Sequence, residues 1–142
     1  MTKPDIYDDI FSYAKLQIIS KSQYNGVQVK KVQPEVLNQS PLIVIERPEY
    51  TIADETLHYG EKLWNMDFTI NIFATDYIDY TSKIARQKVI EDLDNILYEI
   101  FVDMYKMDII QDLDTPNVDT SIDRRTLRIN CKVDENNKIY RR

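Results

Sequence analysis

Glycine is almost missing from this chain of 142 residues: Gly26 and Gly60 are the only two, and they stand far apart. A phosphate-cradling loop or a dinucleotide fingerprint needs several glycines within one turn, so neither can be written here. Histidine is represented once, by His58, and cysteine once, by Cys131. Zinc spacing is therefore absent, a serine–histidine–carboxylate triad would have to rest on His58 alone, and no intrachain disulfide can form. No run approaches the ~20 apolar residues of a membrane span, and no opening apolar stretch resembles a signal peptide, which sets the expectation of a reducing cytoplasm with no membrane contact.

What the chain does have is charge. The formal net charge is −6, which argues against wrapping nucleic acid, because affinity for phosphates comes from Lys and Arg. The charge is unevenly placed. Residues 124–142 carry seven Lys/Arg against two Asp/Glu, a balance of +5, while residues 1–123 sum to −11. Opposite patches on one small chain favour head-to-tail contact between copies. The hydrophobic content of 43% is enough for one packed core, and the length fits a single domain.

Periodicity orders the elements. Pro4 to about Ile19 reads as a helix, with Thr2 as cap candidate, Asp8 and Asp9 in the first turn, and Ile6, Tyr7, Ile10, Phe11, Ala14 and Ile18 forming one apolar stripe. Asn25-Gly26 turns the chain. Val27, Val29 and Val32 mark a short strand and Leu42 to Ile45 another, with 33–40 and 48–55 as loops. Trp64 to Ala74 alternates apolar with polar, Phe73 being the exception, and Thr56 to Tyr59 precedes it as the other arm of a hairpin. About Thr81 to Tyr105, uninterrupted by glycine or proline, reads as a long helix whose buried face runs from Ala85 to Met104. After an acidic connection through Pro116, Thr126 to Val133 alternates cleanly, and Lys138 to Arg142 returns from an Asn136-Asn137 turn as an edge strand. The fold class is α+β: a single domain with a mixed or antiparallel sheet of about five or six strands, covered by the helix at about 81–105 and an N-terminal helix at about 4–19.

Candidate chemistry is sparse. Asp108, Asp112, Asp114, Asp119 and Asp123 invite a calcium reading, but Pro116 stands where a loop ligand belongs and Asn117 where the turn needs glycine. Cys131 shares strand parity with Leu127, Ile129 and Val133, which buries it. Asp119 and Asp123 with Glu46 form a remote alternative as a magnesium-dependent hydrolase site. The surface candidates are Trp64, either a rim of the core or a subunit contact, and Arg124, Arg125, Arg128, Tyr140, Arg141 and Arg142, either a solvated strand face or forks pairing with a neighbour's carboxylates.

The strand Met66-Asp67-Phe68-Thr69-Ile70-Asn71-Ile72-Phe73-Ala74, the helix opening near Ser82-Lys83-Ile84-Ala85, and the closing Arg124-Arg125-Thr126-Leu127-Arg128-Ile129 with Ile139-Tyr140-Arg141-Arg142 carry a resemblance. Between Leu42 and Arg142 this pattern resembles the tail terminator, or tail completion, proteins of tailed bacteriophages. The resemblance implies a small α/β domain, assembled as a homo-oligomeric ring, a hexamer, in the virion after folding in the bacterial host cytoplasm. Its implied partners are the tail-tube protein, whose growth it stops, and the neck or connector protein, with DNA passing through the ring without specific binding. No enzyme activity, metal or cofactor is implied. A head-completion or connector-adaptor protein of the neck, and a cytoplasmic protein-binding adaptor domain, are the other readings.

Overall fold

Two 12-residue strands, β4 (Leu63–Ala74) and β8 (Asp123–Asp134), pair antiparallel along their whole length and set the frame for everything else. Their strict alternation sends Met66, Phe68, Ile70 and Ile72 of β4 and Leu127, Ile129, Cys131 and Val133 of β8 to one face, where all are buried. The computed structural model describes residues 4–34, 41–54, 63–79, 82–117 and 119–140. Among these, each long strand is flanked by two shorter ones end to end. β2 (Leu42–Ile45) and β3 (Glu49–Asp54) lie along the free side of β4, and β7 (Asp108–Thr115) and β9 (Ile139–Tyr140) along the free side of β8. β1 (Gln28–Lys30) adds the one parallel pairing, on β2, to complete seven strands.

Both helices cover the same face, giving a two-layer α+β domain. α1 (Tyr7–Lys21) lies over the β2 side, where the Tyr7 hydroxyl donates to the carbonyl of Ile45. α2 begins at Arg86 and continues to Tyr98, then widens into a π-helical end over Glu99–Met104. Val89, Ile90, Leu93, Leu97, Ile100 and Phe101 are all fully buried against the sheet, and the Phe101 ring meets Phe68 edge-on at 5.6 Å. Asp92 ties α2 to the turn that follows α1, accepting from the Tyr24 hydroxyl and from Gln23 at 3.0 Å, and it pairs with Lys88 of its own helix at 2.7 Å.

Three expectations change, and one exception is explained. The sheet has seven strands because β3 replaces the loop expected at 48–55 and β7 replaces the acidic connection before Pro116. The long helix starts five residues later than about Thr81, because β5 (Tyr77–Asp79) and β6 (Ser82–Ile84) form a small antiparallel hairpin there. Val32 lies outside the first strand with 76% exposure. Phe73 breaks the alternation of β4 for a reason now visible: it points to the opposite face and is buried with Leu42, Val44 and Ile122 in a second, smaller apolar cluster. The expected arm at Thr56 to Tyr59, His58, and the cap candidate Thr2 fall outside the described residues.

Candidate functional site

The basic stretch of the sequence runs along β8, and the strand's period of two divides it between the two faces of the sheet. Arg125 points with Leu127 and Ile129 toward the helices. Arg124, Arg128 and Lys132 share the outer face with Thr126 and Asn130, whose partners Asn71 and Asp67 lie on β4.

On the helix side, Arg125 is enclosed by carboxylates of its own chain. Its guanidinium reaches Glu91 at 2.7 Å and Asp94 at 3.2 Å on α2, and Asp114 at 3.1 Å and Asp112 at 3.8 Å on β7. Burial works against this charge, yet the hydrogen bonds to Glu91 and Asp114 hold its pKa above the ordinary arginine value. Asp94 is only 5% exposed. Burial, and after it the neighbouring Asp112, push the Asp94 carboxyl up to about 7 against the opposing pull of Arg125. The Tyr98 hydroxyl, raised to about 12 by burial and by the same Asp112, donates to Asp112 at 3.2 Å.

The outer face is a polar ladder read across strands. Arg124 stacks its guanidinium 5.4 Å from the Phe73 ring and donates to Asn71 at 3.1 Å, while Thr126 donates to the same oxygen at 2.8 Å and meets Thr115 at 2.6 Å. Further along, Thr69 faces Arg128, Asp67 faces Asn130, and Asn65 faces Lys132, with Glu49 of β3 beside Asp67. A cleft of about 250 Å³ opens there between Glu46, Arg47, Glu49, Asp67, Thr69 and Arg128. Burial varies along this face: Asn71 and Asn130 are 2% and 3% exposed, whereas Arg128 is exposed. The face carries both signs of charge.

The sequence candidates therefore divide. Arg128 is exposed and Arg124 half-buried on the outer face. Arg125 is corrected: its fork is occupied within its own chain and its side chain is 12% exposed, so it is not presented to a neighbour. Trp64 is half-buried against the core beside Ile52, which is 44% exposed, and its indole N–H is buried without an acceptor among the described residues. Tyr140 donates to Asp134 at 3.0 Å, and Arg141 and Arg142 lie outside the described residues. Cys131 is buried, and burial, followed by Asp67 and Asp108, lifts its thiol to about 12, far from a thiolate at neutral pH. Asp119 binds the backbone and hydroxyl of Ser121, and Asp123 pairs with Arg86 at 3.2 Å. Among the described residues no three His, Cys, Asp or Glu side chains are grouped to hold a metal.

Glu91, Asp94, Asp112 and Asp114 were not anticipated as a set. Their signal was present: Asp112 and Asp114 are two apart, on one side of any strand, and Glu91 and Asp94 are three apart, on one side of any helix. The fold defines an α+β domain whose helices cover one sheet surface. The chain matches no protein-family model and no curated protein.

Proposed function

We propose that the protein is a non-enzymatic structural subunit that forms a ring at the head-proximal end of a phage tail tube, ends tube growth and joins the tail to the neck. The observation that carries this reading is the partly exposed charged stretch on the outer face of the β4–β8 pair, where Glu49, Asp67, Arg128 and Lys132 place both signs of charge side by side. Such a surface suits a protein partner of matching pattern, since interleaved charges fix register and reject wrong partners. It suits phosphate poorly, because the carboxylates repel a polyanion that the two cations attract. The net charge of −6 fits a channel through which DNA slides without being held.

The test is direct. Purified protein mixed with polymerising tail-tube protein should cap the tubes, shortening their length distribution in electron micrographs and placing added density at one end only. Tubes of unchanged length, with the protein absent from their ends, overturn the reading.

A further inference from the structure

The contact between α2 and β7 contains more buried acid than base. Glu91, Asp94 and Tyr98 face it from α2, Asp112 and Asp114 from β7, and Arg125 from β8. Glu91 and Asp114 keep 52% and 60% of their side chains in solvent, so water shares their charge. Asp94 and Asp112 have no such relief, at 7% and 20%.

One Asp94 oxygen accepts from Nη1 of Arg125 and one Asp112 oxygen accepts from the Tyr98 hydroxyl. That leaves Oδ1 of Asp94 and Oδ1 of Asp112, both shut away from solvent and neither accepting a hydrogen bond from a described group. Arg125 Nε stands 3.8 Å from the Asp112 oxygen, beyond hydrogen-bond length. Both carboxyls crowd the same guanidinium, Asp94 at 3.2 Å and Asp112 at 3.8 Å. Two carboxylates held this close to one cation and away from water repel each other when both are ionised, and a proton on one supplies a donor that neither Oδ1 atom has found.

We propose that β7 is a proton-latched edge strand: one proton shared by Asp94 and Asp112 fastens it to α2, and losing that proton to solvent frees it from the helix. β7 is suited to this because it ends the strand order of the sheet, pairing only with β8 among the described residues, and carries a bulge between Ile109 and Gln111. Edge strands with a bulge are the least tightly held part of a sheet. Ile110 and Leu113, 48% and 44% exposed, add little burial to resist opening. The sign follows from where the proton binds. The latched form binds it more tightly than the opened form, so the latch is complete in acid and is lost as pH rises through neutrality.

Carboxyl-carbon NMR over a pH series, combined with hydrogen exchange of β7 amides measured against β4 amides, tests this on the whole chain. The pair should release one of its protons near neutral pH rather than in the usual carboxylate range. Between the ordinary carboxylate range and that midpoint the protection of β7 relative to β4 should fall about tenfold per pH unit, the slope of one proton, and level off above it. Asp94→Asn keeps the shape and provides a permanent donor, so β7 protection in this variant should stop depending on pH; Asp112→Asn should act alike and guards against one variant folding poorly. Both carboxyls titrating in the ordinary acid range, wild-type protection that is flat with pH, or a pH slope that persists in both asparagine variants would each overturn the latch.

Discussion

A guanidinium on the helix side of β8 is costly to bury, and Arg125 is tolerated there because α2 and β7 surround it with acid. The converse is also true: without it, Asp94 and Asp112 would be left as buried charge without a cation. Arg125→Met preserves much of the side-chain volume and removes the charge, and should lower stability by about 3–5 kcal/mol, the usual cost of breaking a buried ionic cluster from one side. Arg125→Lys should recover only part of this, because an ammonium cannot span carboxylates on two elements at once. Urea denaturation monitored by circular dichroism measures both, and a loss below about 1 kcal/mol for the methionine variant would contradict the assigned role. The charge split in the sequence drew attention to Arg125, but not to its partners. Whether an arginine on a strand meets a neighbouring molecule or its own chain depends on which helix is laid over that face, and strand parity alone contains no information about that.

Helix boundaries show where local reading stops working. The N-terminus of α2 has no capping side chain at Ala85; the backbone N–H of Arg86 is instead satisfied at 3.0 Å by Asp76, ten residues earlier, which also pairs with Lys83 at 3.3 Å across the small hairpin. That hydrogen bond, and after it the one from Lys83, hold the Asp76 carboxyl below its ordinary range. A remote cap leaves no local signature, so the unbroken stretch from Thr81 looked helical. By contrast, α1, β4 and β8 were legible because burial on one face imposes a period that nothing else in the sequence imitates. β7 was hidden by its acids: Asp108, Asp112 and Asp114 read as a solvated connection until Arg125 supplies the reason for turning Asp112 and Asp114 toward the helix side. The far end of α2 yields its own test. Lys106 closes the π-helical turn in the left-handed region at φ 62°, while Met107 N–H bonds the Phe101 carbonyl at 2.8 Å. A side chain is strained in that conformation and glycine is not, so Lys106→Gly should raise stability by about 0.5–1 kcal/mol. A thermal midpoint that fell instead would mean the lysine side chain contributes more than its backbone costs.

At the scale of the whole molecule the two sheet faces have different work. The helix face is closed by α1 and α2 and holds the larger core, while the outer face combines the small Leu42, Val44, Phe73 and Ile122 cluster with positions nearer solvent that can be altered with the core intact. Reversing charge at Arg124 and Arg125 together would confound the two, since Arg125 belongs to the covered side. Arg128 and Lys132 lie on the open side, two registers apart on β8 and opposite Thr69 and Asn65. Neither is buried, and among the described residues neither is in an ion pair. Arg128→Glu with Lys132→Glu should therefore leave the denaturation midpoint within about 0.5 kcal/mol of the parent, as expected of surface sites. If the outer face meets tail-tube protein or an adjacent subunit, the same variant should lose its effect on tube length, and in the parent that effect should weaken with added salt, because half-exposed ion pairs are screened over about 8–10 Å at physiological ionic strength. A variant that remains folded and still shortens tubes as well as the parent would remove the outer face from the assembly contact and leave the helix layer or the sheet edges to carry it.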